Sequence, residues 1–109
     1  RAVLVEAIAR RLRTPRGALF YDPEYGLDLT GYVNESLSRG DALALEAALA
    51  AECRKDERIR AAGASVAFEP TTRTLRITVR LLDDGGPFEL VLSVDRVTVQ
   101  LLRAALSAP

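Results

Sequence analysis

The sequence predicts an α+β fold in which N-terminal helices pack on one face of a small antiparallel β-sheet. Segments with helical spacing of apolar residues fill the first half of the chain, and segments that alternate apolar and polar residues fill most of the second half. Helices first and strands afterwards is an order typical of α+β domains, not of alternating α/β folds. With 109 residues, we expect one domain over residues 1–109.

The first helix is predicted over residues 2–13. Its apolar residues recur at every fourth position, which places on one stripe Leu4, Ile8 and Leu12. Pro15 and Gly17 follow directly, and both residue types are common where helices end. The helix is therefore expected to stop before Pro15.

Two further helices are predicted before the sheet. A short one covers residues 27–37, with Asp28 as a candidate cap. A longer one is predicted from Gly40 to about Asp56, and its start is supported by Asp41, a favourable N-cap residue. Its apolar residues again step by four: Leu45, Leu49 and Cys53.

Three strands are predicted after the helices. Residues 73–82 alternate cleanly, and their apolar face consists of Leu75, Ile77, Val79 and Leu81. Val66 and Phe68 alternate before a turn at residues 69–72, and residues 83–86 (Asp-Asp-Gly-Gly) have the composition of a hairpin turn. The strand after that turn would place on one face Phe88, Leu90, Leu92 and Val94.

The C-terminal segment carries two competing patterns. Residues 97–101 alternate as a strand would, whereas residues 102–108 have helical spacing. We expect a strand that continues past a bulge near Asp95 and Arg96, followed by a short helical tail.

Composition narrows the classes of function. The chain has 15 Lys and Arg and 15 Asp and Glu, so no overall field favours nucleic acid or a membrane as a partner. Cys53 is the only cysteine and there is no histidine, so we expect no disulfide, no metal site and no cofactor. Because the chain starts at Arg1 and contains no methionine, we expect the natural N-terminus to lie upstream.

Turn-forming residues are concentrated between the first two helices. Two motifs stand there: Thr14-Pro15-Arg16-Gly17 and Tyr21-Asp22-Pro23-Glu24-Tyr25-Gly26. They predict a shaped loop, and such loops often bind or dock. An interpretation as simple helix breaks stays open. Tyr21 and Tyr25 either cover the edge of the core or anchor an interface.

A resemblance to a known family rests on three stretches of the chain. The stretches are Arg11-Leu12-Arg13-Thr14-Pro15-Arg16-Gly17, then Asp22-Pro23-Glu24-Tyr25-Gly26-Leu27-Asp28-Leu29, and finally Asp56-Glu57-Arg58-Ile59 between the long helix and the strands. Together they resemble the baseplate wedge, or sheath-initiator, family of contractile phage tails and related injection machines, including type VI secretion baseplates. The third stretch commonly reads Glu-Pro-Arg-Ile in that family, so Asp56 and Glu57 depart from it while Arg58 and Ile59 match.

The resemblance implies a structural protein of the virion tail baseplate, assembled in the host cytoplasm. Such a protein joins wedge proteins and the tail tube or hub to the first ring of sheath protein, in six copies per ring. It templates the sheath by accepting strands at an open sheet edge, which is β-augmentation. The resemblance assigns the protein interface to Arg13, Thr14, Pro15, Arg16, Gly17, Tyr21, Asp22, Pro23, Tyr25, Gly26, Asp56 and Arg58.

Two other functions are compatible with the same sequence. A regulatory protein-binding module is the first, because anti-adaptor proteins resemble the same family. A small glycan hydrolase is the less favoured, although some relatives carry a lysozyme label. Its acidic pairs would be Asp22 with Glu24, Asp56 with Glu57, and Asp83 with Asp84. Neighbouring solvated carboxylates both stay ionised, whereas glycoside hydrolysis needs one raised pKa, so we expect no catalytic residue.

Overall fold

The computed structural model describes residues 2–27, 29, 39–94 and 99–106. Within these residues the chain forms two helices and one four-stranded antiparallel sheet. The helices are α1 (Ala2–Arg13) and α2 (Arg39–Arg54). The strands are β1 (Ala61–Glu69), β2 (Thr74–Asp83), β3 (Gly86–Val94) and β4 (Val99–Leu106). The predicted α+β class, with helices on one face of an antiparallel sheet, is confirmed.

Both described helices lie where apolar spacing predicted them. Helix α1 ends at Arg13, as expected from the Pro and Gly that follow. Helix α2 begins at Arg39, so Asp41 lies in its first turn and is not the predicted N-cap, and the helix ends at Arg54, two residues before the predicted end at Asp56. The predicted helix over residues 27–37 lies outside the described residues except for Leu27 and Leu29, which are both buried.

The strands follow one another in space in the order of the sequence, β1-β2-β3-β4. The predicted hairpin between β2 and β3 is confirmed, with Asp83 paired to Gly86 across the turn. Strand β1 is longer than the Val66–Phe68 pattern indicated, because it begins at Ala61, which pairs with Leu82 of β2.

The predicted helical tail is wrong over residues 102–106, which belong to β4. The pairing of β3 with β4 contains one bulge: Val91 pairs with Arg103 and Leu92 pairs with Leu101, so Leu102 is the extra residue. Residues 95–98, which include the predicted bulge, lie outside the described residues. Pairing with the long strand β3 satisfies the backbone groups of this segment that face β3, and tertiary context of this kind overrides a weak local helical pattern.

The core lies between the helices and the inner face of the sheet. Helix α2 packs against β1, and α1 packs against α2 and β4. The predicted apolar faces of β2 and β3 are confirmed, since all eight side chains are buried: Leu75, Ile77, Val79, Leu81, Phe88, Leu90, Leu92 and Val94. Burial of each contributes roughly 1.5–3 kcal/mol. This core fixes α1 and α2 side by side, and the loop that follows α1 therefore lies beside the end of α2.

Candidate docking site

The chain between α1 and Leu27 forms a closed loop. The amide of Leu27 donates to the carbonyl oxygen of Thr14 at 2.9 Å, which joins the two ends of the loop. The hydroxyl of Thr14 donates to the carbonyl oxygen of Arg10 at 2.8 Å, and this bond caps the end of α1. Residues 14–27 are called the 14–27 loop below.

Hydrogen-bonded turns fill the interior of the 14–27 loop. The backbone bonds join Ala18 N to Pro15 O, Asp22 N to Leu19 O, and Tyr25 N to Asp22 O, each at 3.1 Å. Each bond closes a turn of four residues, the pattern of a β-turn. The loop is therefore a shaped element, as its turn-rich sequence predicted.

Glu52 supports the 14–27 loop from beneath. It lies in the last turn of α2, and its side chain has no exposed surface. Its Oε2 accepts hydrogen bonds from Arg11 Nη1 and from the amide of Gly26, both at 3.0 Å. Its Oε1 accepts from Arg16 Nη2 at 3.0 Å and pairs with Lys55 Nζ at 2.9 Å. We call Glu52 and these four donors the Glu52 brace.

The surroundings of Glu52 determine its charge. Burial is the largest effect on the pKa of this carboxyl and acts to raise it, because a buried charge loses its hydration. Hydrogen bonds from Lys55, Arg11 and the amide of Gly26 outweigh burial and leave the pKa below the ordinary value of 4.5. The carboxylate is therefore ionised at neutral pH, and three positive groups from different segments meet on it.

Gly26 makes the close approach of the loop to its own start feasible. Its φ of 94° lies in the left-handed region that favours glycine. A Cβ at this position would overlap the carbonyl oxygen of Thr14. Two cations of the brace also bind loop carbonyls: Arg16 Nε to Gly26 O at 3.1 Å, and Lys55 Nζ to Glu24 O at 2.7 Å. Gly26 therefore stands where the loop, α1 and α2 converge.

The two tyrosines of the loop have different surroundings. Tyr25 is half-buried, and the Arg11 guanidinium lies over its ring, 4.5 Å from the ring centre. Such a contact is a cation–π interaction, which ties Tyr25 to the Glu52 brace. Tyr21 is 73% exposed and stands edge to face with Phe20, which is 93% exposed, with ring centres 5.3 Å apart. We call Phe20 and Tyr21 the aromatic tip.

Asp56 and Arg58 form a compact unit after α2. Arg58 donates from Nε to Asp56 Oδ1 at 3.0 Å and from Nη2 to Asp56 Oδ2 at 2.7 Å. The Arg58 amide also donates to Asp56 Oδ1 at 2.9 Å. These side-chain bonds are the main reason that the pKa of Asp56 is lowered. The pair holds the guanidinium of Arg58 in place while the side chain stays 47% exposed.

The structure brings together some of the predicted interface residues and separates others. Arg16, Tyr25 and Gly26 meet at the Glu52 brace. Arg13 does not, because its guanidinium pairs with Glu6 on α1 at 3.1 Å and both side chains are exposed. Thr14 closes the loop through its carbonyl oxygen, and the remaining predicted loop residues are exposed on it: Pro15, Gly17, Tyr21, Asp22 and Pro23.

Sequence reasoning missed Glu52, Arg11, Lys55 and Phe20. A signal for Glu52 was present, since it follows Leu49 by three residues and falls on the apolar stripe of α2. An acidic residue on such a stripe needs positive partners when it is buried. Phe20 gave no comparable signal, because its exposure depends on the shape of the whole loop.

Comparison with known protein families and with curated proteins finds no match to this chain. Within the described residues, no helix is long and apolar enough to cross a membrane. The same residues contain no group of three or more Cys, Asp or Glu side chains arranged to hold a metal ion.

Proposed function

We propose that this chain is a non-enzymatic structural component of a contractile-tail baseplate, which joins wedge proteins and the tail tube to the first sheath ring. The Glu52 brace is the observation that supports this proposal most strongly. The two loop motifs that resemble the sheath-initiator family supply Arg11, Arg16, Tyr25 and Gly26, all of which contact Glu52 or pack on its partners. The motifs therefore encode one shaped loop.

A pre-shaped loop suits a docking role for a thermodynamic reason. Ordering a flexible segment upon binding costs free energy, and a segment ordered beforehand avoids that cost. The bond between Thr14 and Leu27, the internal turns and the bonds to Glu52 all form within this chain. The 14–27 loop is thus ready to contact a wedge protein without rearrangement.

The sheet offers two edges for strand addition. On β1, the amide of Val66 donates to Glu46 Oε2 of α2 at 2.9 Å, so the helix occupies part of that edge. On β4, no strand among the described residues pairs with the side that faces away from β3. A strand from a sheath subunit would therefore add at β4, on the side that pairs with no strand among the described residues.

Arg58 supplies a second contact region in this proposal. It borders a shallow groove together with Val3 of α1 and the turn between β2 and β3. Val3 is 75% exposed, so the groove combines an apolar side chain with a positioned guanidinium. A guanidinium held by Asp56 can still donate to a partner carboxylate through its remaining N–H groups.

The surroundings of the acidic residues support a non-catalytic role. A glycosidase needs one carboxyl with a raised pKa beside one that is ionised. The pKa of Glu52 and that of Asp56 are both lowered by hydrogen bonds from positive groups. Asp22 and Glu24 are exposed on the loop, where water solvates both.

Purification of native particles tests this function. Particles would be sedimented from the source cells, and the ratio of this chain to sheath, tube and wedge proteins measured by mass spectrometry. We expect co-sedimentation at about six copies per particle, loss of a Glu52→Gln variant from the particles, and retention of a Glu69→Gln variant, since Glu69 is exposed and outside both proposed contact regions. Recovery of the chain only with one soluble partner would overturn the proposal and favour the regulatory module.

A further inference from the structure

We propose that the aromatic tip, Phe20 and Tyr21, is an anchor that inserts into an apolar pocket of a folded partner protein whose rim carries Arg or Lys. This inference deepens the proposed function and rests on its premise that the 14–27 loop docks. It adds the residues that insert and the chemistry of the surface that receives them.

The aromatic tip does not contribute to the core of the described fold. Phe20 is 93% exposed and Tyr21 73% exposed, and the two rings contact each other edge to face. Neither ring belongs to the core cluster. Aromatic residues bury roughly 150–250 Å² each at a contact. Together the two rings would supply about half of the area that one partner buries in a standard interface, roughly 800 Å².

The loop presents the tip in a fixed place. The turn from Leu19 to Asp22 contains both aromatic residues and is closed by the Asp22 N to Leu19 O bond of 3.1 Å. Next to it, the amide of Gly26 binds the buried Glu52 carboxylate at 3.0 Å. These bonds restrain the backbone of the tip, so little backbone freedom is lost when the two side chains are buried on binding.

Two carboxylates beside the tip indicate the chemistry of the partner. Asp22 and Glu24 are both exposed, and neither forms an ion pair with any described residue. Lys55 lies close to Glu24, because its Nζ donates to the Glu24 carbonyl oxygen at 2.7 Å. Asp22 is therefore the carboxylate that dominates beside Tyr21. Asp22 would repel anionic lipid headgroups and nucleic-acid phosphates and would attract a protein pocket with Arg or Lys at its rim. Of the surfaces that accept aromatic side chains, a folded protein of this kind fits best.

Photo-crosslinking in the source cells tests this inference. Phe20→p-benzoylphenylalanine would be compared with Leu43→p-benzoylphenylalanine, since Leu43 is 60% exposed on α2 and far from the loop in sequence. We expect position 20 to crosslink to apolar residues at one site of one protein, with Arg or Lys next to that site. Crosslinks to lipid or nucleic acid would overturn the inference, as would a yield no greater than that from position 43.

Affinity measurements with the crosslinked protein provide a second readout. Each single change, Phe20→Ala and Tyr21→Ala, should weaken binding by about 30-fold or more, the effect of removing a hot-spot residue. Asp22→Asn should lower the association rate and its dependence on salt. Leu43→Ala is the matched control and should bind normally. Unchanged affinity for both aromatic variants would overturn the inference.

The outcomes separate this inference from the proposed baseplate function. A site-specific crosslink to a protein that is not a tail component would support the anchor and contradict the baseplate role. Incorporation of the chain into tail particles without any crosslink from position 20 would support the baseplate role and contradict the anchor.

Discussion

Replacement of Glu52 by Gln removes one charge from the Glu52 brace while preserving the size of the side chain. Each carboxylate oxygen accepts from two donors: Oε1 from Arg16 and Lys55, and Oε2 from Arg11 and Gly26. In glutamine one of these oxygens becomes an NH2 group, which cannot accept. Two of the four hydrogen bonds are therefore lost in either orientation of the amide, and two donors face another donor.

The expected cost follows from this geometry. A hydrogen bond to a charged group contributes about 1.5–3 kcal/mol, and breaking a fully buried ion pair costs about 3–5 kcal/mol. The side chains of Arg11, Arg16 and Lys55 are 17%, 45% and 40% exposed, so water partly rehydrates them. We expect Glu52→Gln to lower the free energy of unfolding by about 2–4 kcal/mol, between these limits.

Urea unfolding and amide hydrogen exchange measure this effect. The matched control is Glu57→Gln, an exposed acid just after α2, which should change stability by less than about 0.5 kcal/mol. The amides of Gly26 and Leu27 should exchange faster in Glu52→Gln than in the control. A Glu52→Gln protein within about 0.5 kcal/mol of the parent, with unchanged protection of both amides, would refute the brace.

Four further predictions follow from the same structure. Gly26→Ala should destabilise the fold by roughly 2 kcal/mol or more through steric overlap and backbone strain, as measured by thermal unfolding. Gly17→Ala should cost clearly less, because φ is 90° there but no atom lies within 4 Å of the position of a Cβ. Equal costs would contradict the close approach of Gly26 to Thr14. The free energy of unfolding should fall as the pH drops below 4.5, the ordinary pKa of a glutamate, because the pKa of Glu52 is lowered in the folded state and its stabilising contribution is lost as the pH falls through that lower pKa. In Glu52→Gln, the free energy of unfolding should depend less steeply on pH in the acid range. An identical dependence on pH would argue against ionisation of Glu52. Burial raises the pKa of the Cys53 thiol to about 12, so a thiol reagent at pH 8 should label it only in urea; rapid labelling of the native protein would contradict its burial. Arg58→Ala should leave the melting temperature almost unchanged and weaken incorporation into particles, whereas a large thermal shift with normal incorporation would reverse that interpretation.

The spacing of apolar residues predicted the helices and strands in which one face is buried against the core. The stripe of Leu4, Ile8 and Leu12 located α1, and the alternation from Leu75 to Leu81 located β2. The C-terminal strand was predicted only in part, because the spacing of residues 102–106 suits a helix as well. Pairing with β3 decides that segment, and apolar spacing within the segment does not reveal such pairing.

The candidate site was predicted as a loop but not as a structure with a buried centre. Turn chemistry identified the motifs that contain Arg16 and Gly26, since these residue types act locally. Glu52 was missed because three of its four partners come from segments far away in the sequence: Arg11 lies 41 residues before it, Arg16 lies 36 before it and Gly26 lies 26 before it. Only the packing of α1 beside α2 brings these groups together.

Electron cryomicroscopy of the native particle would test the proposed baseplate role. We expect to find this chain in a sixfold ring between the tube, the wedge proteins and the sheath. In that ring, the 14–27 loop should contact a wedge protein and a sheath strand should pair with β4. A particle in which the chain is absent, or in which it contacts neither wedge nor sheath, would contradict the account.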